Sequence, residues 1–186
     1  LYRTAGLLDA AITQRQTSRE DMAAVLAAGE EYAVEASIAK IAGSEVADFV
    51  LDENIQIHGG NGFVRDYPAE RHFRDARVNR IFEGTNEINR LLIPGMLMRR
   101  ALKGDLPIIQ AAKKLQDELM GPPQMGARTA AGVLGDEQHT VASLKKVALA
   151  VMGVGMLRHG EKLADEQEVM MSIADILIDT YQAESA

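Results

Sequence analysis

The amino-acid sequence predicts an all-α protein. Ala, Leu, Ile, Met, Glu and Lys are frequent in its 186 residues, whereas Pro occurs 5 times and Trp not at all. Most of these frequent residues are good helix formers, and the aromatic residues that favour strands make up only 4% of the chain. Apolar residues repeat at a helical period, and no segment shows the steady alternation of a strand. A chain of this length can bury an extensive core.

Composition and charge argue against several classes of function. The net charge of −7 and the isoelectric point near 5.1 disfavour non-specific nucleic-acid binding and a basic membrane-binding patch. The chain has no Cys, which excludes disulfides and thiolate metal sites and fits a reducing compartment. No apolar run approaches the roughly 18 residues of a membrane span, and we see no signal peptide. Both ends look cut, so we expect a fragment of a longer protein.

The chain opens with helical sequence. Residues 1–12 predict the end of a helix, and a second helix is expected to begin between residues 18 and 22. Ser18 is the predicted N-cap, with Glu20 and Asp21 in the first turn, where the helix dipole stabilises acidic side chains.

A long helix is expected over residues 30–58. Its apolar residues keep a helical period, and small residues recur among them, so neighbouring helices can approach closely. The predicted buried face comprises Tyr32, Ala36, Ile38, Ala39, Ile41, Ala42, Val46, Phe49, Val50 and Ile57. The HGGNG segment at 58–62 is expected to end this helix, because two adjacent glycines and a third soon afterwards break helical structure.

A short Arg-rich helix is expected next, over residues 69–78, with Pro68 in its first turn. Its basic residues recur at every third position and share one side of the helix: Arg71, Arg74, Arg77 and Arg80. The simplest interpretation is a solvent-exposed face that forms ion pairs with Glu70 and Asp75 and carries no function.

Glu83 is the acidic residue with the least ordinary setting. It stands between an apolar pair, Ile81 and Phe82, and Gly84, just before a predicted helix start. A surface carboxylate does not need such a setting, whereas a general base gains from it, so Glu83 is a candidate base. By residue pattern alone, an ordinary helix boundary remains the alternative.

The helix after Glu83 is expected to have Thr85 as its N-cap and Glu87 in its first turn. Pro94 lies inside it and should kink it, because the proline ring clashes with the preceding turn. The predicted buried face of this helix comprises Ile88, Leu91, Leu92, Met96 and Leu102.

The second half of the chain predicts further helices. Residues 103–107 form a boundary, 108–120 an amphipathic helix, and the GPPQMG segment at 121–126 a linker. Two more helices, over 137–159 and 165–181, are expected to pack as a hairpin. We therefore expect three segments: a first helical bundle over 1–105, a helix and linker over 106–126, and a second helical segment over 127–186.

Several kinds of site are rejected from the residues. The 4 His are scattered, with no HExxH motif and no i, i+4 His pair, so no metal site is expected. The GGNG segment follows a helix and lacks the GxGxxG spacing of a dinucleotide-binding turn. We find no Walker-type phosphate loop and no GxSxG nucleophile elbow. The apolar segment 147–156 is interpreted as a buried bundle helix, with membrane contact as the minor alternative.

Three ordered motifs resemble those of a known family. They are QIHGGNG at 56–62, YPAERHFRD at 67–75 and FEGT at 82–85. In this order and spacing they closely resemble the C-terminal helical domain of flavin-dependent acyl-CoA dehydrogenases, over residues 1–101. The resemblance implies an up-and-down four-helix-type bundle. The region after the linker resembles the helical C-terminal extension of the very-long-chain branch.

The resemblance implies roles for individual residues. Glu83 would be the catalytic base, and Gly84 would lie against the bound acyl thioester. The implied contacts to FAD are Gln56, Ile57, His58, Gly59, Gly60, Thr85, Asn86 and Glu87. In this family the segment that corresponds to 56–60 usually contacts the FAD of a neighbouring subunit, so the resemblance implies a homodimer or tetramer. It implies no metal site.

The implied activity is the oxidation of a fatty acyl-CoA to a trans-2-enoyl-CoA, as in fatty acid β-oxidation. The base removes the proton α to the thioester carbonyl, the β-hydrogen leaves as hydride to FAD, and an electron-transfer flavoprotein accepts the electrons. The implied compartment is a bacterial cytoplasm, with the mitochondrial matrix as alternative. An acyl-CoA oxidase, which uses oxygen, and a non-catalytic helical interaction module are the alternative functions.

This chain lacks other parts that the family uses. The N-terminal helices and the β-domain that covers the flavin and the thioester are absent from it. We therefore expect the chain alone to bind no FAD tightly and to have no dehydrogenase activity.

Overall fold

The computed structural model describes residues 1–16, 18, 21–121 and 132–186. Within them the chain is helical without a strand, so the predicted all-α class is confirmed. The elements in chain order are α1 (Tyr2–Arg15), α2 (Met22–Glu31), α3 (Ala33–His58), α4 (Gly60–Phe63), α5 (Ala69–Arg77), the 3₁₀ helix η1 (Val78–Arg80), α6 (Asn86–Lys103), α7 (Ile108–Met120), α8 (Gly135–His159), the 3₁₀ helix η2 (Gly160–Asp165) and α9 (Gln167–Ser185). These elements fall into two compact units, Leu1–Asn89 and Arg90–Ala186.

The first unit is built around α3, which packs against α1, α2, α4 and α5. Its buried apolar residues are Ala11, Ala24, Ala28, Val34, Ile38, Ile41 and Ala69. Most of them are alanines, so the helix backbones approach closely and a larger side chain would not fit without displacing a helix. An ion pair between Arg15 and Glu31 also connects α1 to α2.

Two predictions about the helices of this unit are wrong. The N-cap of α2 is Asp21, whose Oδ1 accepts a hydrogen bond from the Ala24 N–H (3.2 Å), and not Ser18. A carboxylate accepts such a bond more strongly than a hydroxyl and also complements the helix dipole. Glu20 lies outside the described residues. The predicted long helix is also interrupted at Tyr32, where α2 ends and α3 begins.

The second half of α3 is more exposed than its pattern predicts. Ile38 and Ile41 are buried as expected, but four residues of the predicted face are 54–82% exposed: Val46, Phe49, Val50 and Ile57. α3 has 26 residues, whereas α4 and α5, which pack against it, have 4 and 9. Elements this short cover only part of a helix that is about 39 Å long.

The second unit contains most of α6 together with α7, α8 and α9. Its buried apolar residues are Ile93, Ala101, Leu115, Ala148, Met152, Leu163, Met170, Ile173, Ala174 and Ile178. α8 and α9 pack as the predicted hairpin. Gly155 of α8 lies at this contact, where an added Cβ would reach ordinary van der Waals distance, 3.5–3.6 Å, from Leu163 and Ile173. Arg90 Nε donates to Asp175 Oδ1 (2.7 Å) and joins α6 to α9.

α6 buries a different face from the predicted one. Its buried residues are Asn86, Asn89, Ile93, Pro94 and Ala101. In the predicted face, by contrast, three residues are 45–70% exposed: Ile88, Leu92 and Leu102. The two asparagines turn inward because their amides are hydrogen-bonded there, and this sets the rotation of the helix. Pro94 lies inside the helix as predicted, and the kink stays a prediction.

The segment between α6 and α7 follows the expected pattern. α6 ends at Lys103 and α7 begins at Ile108, so the predicted break at 103–107 is confirmed. Residues 122–126 of the predicted linker lie outside the described residues. The division into 1–105, 106–126 and 127–186 therefore stays a prediction.

Among the described residues, α8 is long and apolar enough to cross a membrane by length and composition alone. Only 17% of the most apolar 18-residue segment of this helix is buried. Ala148 and Met152 are buried, whereas Val154 and Leu157 are 61% and 78% exposed. The helix is thus buried on one side only, which corrects the expectation of a buried bundle helix at 147–156.

Candidate active site

The QIHGGNG motif forms the turn from α3 to α4. Its three glycines differ in whether the fold requires glycine at that position. Gly59 ends α3 with φ 57° and ψ −137°, a conformation that is open essentially to glycine. Gly62 is buried, and a Cβ there would collide with the backbone of Ile55 in α3. Gly60 lies outside the left-handed region, and a Cβ there would meet nothing. The fold therefore requires Gly59 and Gly62 but not Gly60.

The predicted cofactor-binding residues of this turn are consecutive and exposed: Gln56, Ile57, His58, Gly59 and Gly60. His58 Nδ1 lies 2.8 Å from the carbonyl oxygen of Asn54, one turn back, so the ring is held at the end of α3. The side chain of Ile57 is 82% exposed beside it. The turn thus offers a ligand an apolar side chain, a ring and an uncovered stretch of glycine backbone.

The FEGT loop between η1 and α6 has an unusual backbone. Among the described residues, Glu83 is the one residue other than glycine with a positive φ (56°), and Gly84 follows at 76°. This conformation costs an L-residue about 1 kcal/mol, so it persists where neighbouring contacts enforce it. Glu83 is exposed, and so are Ile81 (55%) and Phe82 (45%). No described helix covers the loop, so Glu83 and its two apolar neighbours are open to solvent.

Asn89 holds the FEGT loop from the first turn of α6. Its Nδ2 donates to the carbonyl oxygens of Gly84 (2.9 Å) and Thr85 (3.1 Å), and more weakly to that of Glu83 (3.5 Å). Asn89 is 7% exposed. A Cβ on Gly84 would lie 3.1 Å from this amide, so Gly84 is needed for close approach as well as for its φ. Three successive carbonyls therefore converge on one buried amide.

A second set of contacts ties the same loop to α3. Asn86 is fully buried, and its Nδ2 donates to Ser44 Oγ (2.9 Å) and Glu45 Oε1 (3.1 Å). Its Oδ1 accepts from Lys40 Nζ (2.7 Å), which also donates to the carbonyl oxygen of Gly84 (2.8 Å). The buried amide is thus paired at both ends, as buried polar groups must be to avoid a large desolvation cost.

The start of α6 agrees with the sequence prediction. Thr85 Oγ1 accepts a hydrogen bond from the Ile88 N–H (3.2 Å), so Thr85 is the N-cap. Glu87 lies in the first turn and is exposed. Of the three residues expected beside the cofactor, Asn86 is buried and Thr85 is half-buried.

Four residues of this site were not identified from the sequence: Lys40, Ser44, Glu45 and Asn89. A signal was present on α3, where Lys40 and Ser44 stand one turn apart on either side of the buried Ile41. Polar residues inside an apolar helix face need partners. Their partners come from a loop about forty residues later in the chain, which periodicity cannot show.

The FEGT loop and the glycine turn are both attached to α3, but at different places along it. Ser44 contacts the segment after Glu83, and His58 precedes the glycine turn. Their separation along α3 corresponds to about 21 Å at 1.5 Å per residue. One small ligand cannot contact both places.

The Arg-rich segment is split by the structure. Arg80 lies in η1, and its Nη1 donates to Asp48 Oδ2 of α3 (2.7 Å), so it leaves the predicted row. Arg74 pairs with Glu70 (3.5 Å), which confirms one of the expected surface ion pairs. The other two arginines of the row are exposed. Exposed pairs of this kind contribute little stability.

The second unit contains a separate apolar cavity of about 440 Å³ between α7 and α8. Its walls include Ile108, Leu115, Leu119, Leu149 and Leu157. No motif of the sequence predicts this cavity. The described residues that line it include no carboxylate, and their one charged side chain is that of Lys113.

Known families account for the motifs. A family model described as "Acyl-CoA dehydrogenase, C-terminal domain" matches residues 3–98, and a second model with the same description matches residues 143–186. The chain belongs to the acyl-CoA dehydrogenase family. The first match contains all three motifs, so the resemblance stated for residues 1–101 is confirmed.

Relatives and a solved structure agree with this assignment. A probable acyl-CoA dehydrogenase of Bacillus subtilis is 43% identical over 187 residues, which cover 100% of this chain and 31% of the relative. The mitochondrial very long-chain specific acyl-CoA dehydrogenase of Rattus norvegicus is 33% identical over 190 residues, which cover 87% of this chain and 28% of the relative. The crystal structure of a Bacillus anthracis acyl-CoA dehydrogenase complexed with FAD is similar at 45% identity and a TM-score of 0.87, over 97% of this chain and 30% of that one. This chain therefore spans about a third of these acyl-CoA dehydrogenases.

Proposed function

We propose that this chain is the C-terminal part of an FAD-dependent acyl-CoA dehydrogenase and that Glu83 is its catalytic base. The observation that carries the proposal is the backbone of Glu83, an exposed carboxylate in a left-handed conformation. Asn89 and α3 hold this loop within the segment that matches the family. Strained residues cluster at functional sites, where the surrounding structure maintains them.

Glu83 removes the proton α to the thioester carbonyl in this proposal. Its exposed side chain can reach a substrate, and the anchored backbone limits the positions of the carboxylate, which lowers the entropy cost of the transition state. Gly84 has no side chain, so the thioester can approach the backbone beside the base. Negative charge that develops on the thioester oxygen needs preorganised donors, and within this chain the Glu83 N–H is the proposed one.

The glycine turn fits one part of FAD. Its residues, 56–60, are all exposed, and the fold does not require glycine at position 60. A ligand that approaches the backbone closely would explain why position 60 is nevertheless a glycine. We assign cofactor contact to this segment and to Thr85 and Glu87, with the buried Asn86 supporting the loop. FAD, when bound, accepts the β-hydride of the substrate.

The proposed enzyme is a homodimer or tetramer, in which segment 56–60 contacts the FAD of a neighbouring subunit. The separation of about 21 Å along α3 between this segment and the FEGT loop supports two different contact regions. An electron-transfer flavoprotein is the proposed electron acceptor. A fatty acyl-CoA is the proposed substrate. A bacterial cytoplasm is the proposed compartment, with the mitochondrial matrix as alternative.

The chain alone is expected to bind no FAD tightly and to be inactive. It spans 31% of its Bacillus subtilis relative, and its FEGT loop is uncovered. A site open to water cannot strengthen electrostatic interactions as a closed site does. Flavin that stays with the purified chain through gel filtration, or acyl-CoA-dependent reduction of a dye, would contradict this expectation.

The test of the proposed base is Glu83→Gln in the full-length enzyme that carries this chain. We expect turnover of acyl-CoA to fall by about 10²–10⁴-fold, the usual contribution of a general base, with unchanged FAD content. Glu53→Gln, which changes another exposed glutamate of the first unit, is the matched control and should keep wild-type turnover. Turnover of Glu83→Gln within twofold of the wild type would remove Glu83 from the role. Rapid reoxidation of the reduced enzyme by oxygen alone would favour the oxidase alternative.

A further inference from the structure

Lys40 makes contacts that ordinary surface lysines do not make. Its Nζ donates to the carbonyl oxygen of Gly84 (2.8 Å) and to Asn86 Oδ1 (2.7 Å), while the residue lies half-buried in α3. Within the described residues, no carboxylate forms an ion pair with it. Its charge is therefore directed at neutral oxygens of the FEGT loop, and charge-assisted hydrogen bonds of this length are strong.

The contact falls on the peptide that follows Glu83 and Gly84. The carbonyl oxygen of Gly84 accepts two hydrogen bonds, from Lys40 and from Asn89 Nδ2 (2.9 Å). With both lone pairs used, the orientation of this peptide is fixed. This peptide sets the ψ of Gly84 and directly follows the two residues with positive φ, Glu83 and Gly84, so fixing it restrains the end of the strained segment.

The start of the loop is anchored to the same helix. Arg80 Nη1 donates to Asp48 Oδ2 (2.7 Å), and Asp48 lies eight residues after Lys40 on α3, which corresponds to about 12 Å. The loop that carries Glu83 is therefore attached to α3 at two points, through Arg80 and through Lys40. Arg80 fixes where the loop begins, and Lys40 fixes the Gly84–Thr85 peptide, one residue after the base.

We propose that Lys40 is a positioning residue for the catalytic base, which acts through the carbonyl oxygen of Gly84. It does not touch the substrate in this proposal. It maintains the backbone conformation that directs the Glu83 carboxylate toward the α-proton. This inference rests on the proposed function of Glu83, and the experiment below separates the two.

The test compares Lys40→Met and Lys40→Arg in the full-length, FAD-loaded enzyme. Met has a similar length and no donor, whereas Arg keeps a charged donor with different geometry. A displacement of the base by about 1 Å can cost 10²-fold in rate, so we expect Lys40→Met to lower kcat per bound flavin by about 10- to 100-fold. KM should stay within about threefold, and Lys40→Arg should recover part of kcat. Lys114→Met, on the exposed surface of α7, is the matched control and should behave as wild type.

A kinetic isotope effect distinguishes positioning from a merely structural role. Impaired proton abstraction makes that step more rate-limiting, so the effect of α-deuterated acyl-CoA on kcat should rise in Lys40→Met. Wild-type kcat per flavin with an unchanged isotope effect would overturn the inference. If Lys40→Met fails to retain FAD, Lys40→Arg decides by the same two measurements. Wild-type turnover of Glu83→Gln would instead refute the proposed function itself.

Discussion

Replacement of Asn86 by Ala is the sharpest test of how the FEGT loop is held. The substitution removes a fully buried amide whose Nδ2 donates to Ser44 and Glu45 and whose Oδ1 accepts from Lys40. All three partners lose their hydrogen bonds to Asn86 at once. The second anchor of the loop, Asn89, remains in place, so the variant isolates the contact with α3.

The magnitude follows from the kind of hydrogen bond that is lost. Bonds to the charged Lys40 and Glu45 contribute about 1.5–3 kcal/mol each, and the neutral one to Ser44 about 1 kcal/mol. All three partners are half-buried, so water restores part of their hydrogen bonding in the variant. We therefore expect Asn86→Ala to lower the free energy of unfolding by about 3 kcal/mol. For a chain of this size that corresponds to a fall in Tm of about 6–12 °C.

Thermal unfolding of the chain, followed by helical circular dichroism, measures this shift. Asn61→Ala removes an exposed amide from α4 of the same unit and should change Tm by less than 2 °C, within the usual range for surface substitutions. Asn86→Leu keeps the volume but not the hydrogen bonds, so it should be as destabilised as Asn86→Ala. If Asn86→Ala unfolds at the same temperature as Asn61→Ala, the buried amide does not hold the loop to α3.

Two further predictions concern the glycine turn and the second unit. Gly62→Ala should lower the free energy of unfolding, measured by urea titration, by about 1–3 kcal/mol, because the added Cβ would collide with Ile55. Gly60→Ala places its Cβ in open space and should unfold like the wild type. Equal effects of the two substitutions would contradict this account. The hydrogen bond that Lys146 donates to Glu118 (3.0 Å), and next the charge of Lys146, hold the pKa of Glu118 below its usual value. This pair between α7 and α8 therefore stabilises the folded chain at pH values above the pKa of Glu118 in the unfolded chain. The stabilisation is lost as the pH falls through the lower pKa of the folded chain. Glu118→Gln should therefore be less stable than the wild type at pH 7, with a difference that shrinks in acid, and a constant difference at all pH values would exclude the pair as its source.

Local patterns of the sequence predicted the helices well but their burial less well. Gly59 ends α3 and Thr85 caps α6 as predicted, because both features depend on backbone conformation within a few residues. Burial depends on what packs against a helix. Val46 and Phe49 follow the apolar period of α3 yet are exposed, since the elements that pack against α3 are short.

The candidate site was predicted by motif, and its support was not. Glu83 and the glycine turn stand out in the sequence because their neighbours are unusual. Lys40 and Asn89 do not, because their roles come from contacts with backbone carbonyls, which any residue type can supply. A single sequence contains no signal for a partner that is defined by its position and not by its side chain.

The left-handed backbone at Glu83 also has a consequence for protein engineering. Glycine and asparagine adopt this conformation more readily than glutamate, so at position 83 the chain holds a residue that is about 1 kcal/mol worse for folding than the available substitutes. Selection for thermostability alone would favour replacing Glu83, and with it the proposed base. Stabilised versions of this chain should therefore be screened by turnover as well as by melting temperature, and position 83 should be kept fixed in any consensus design.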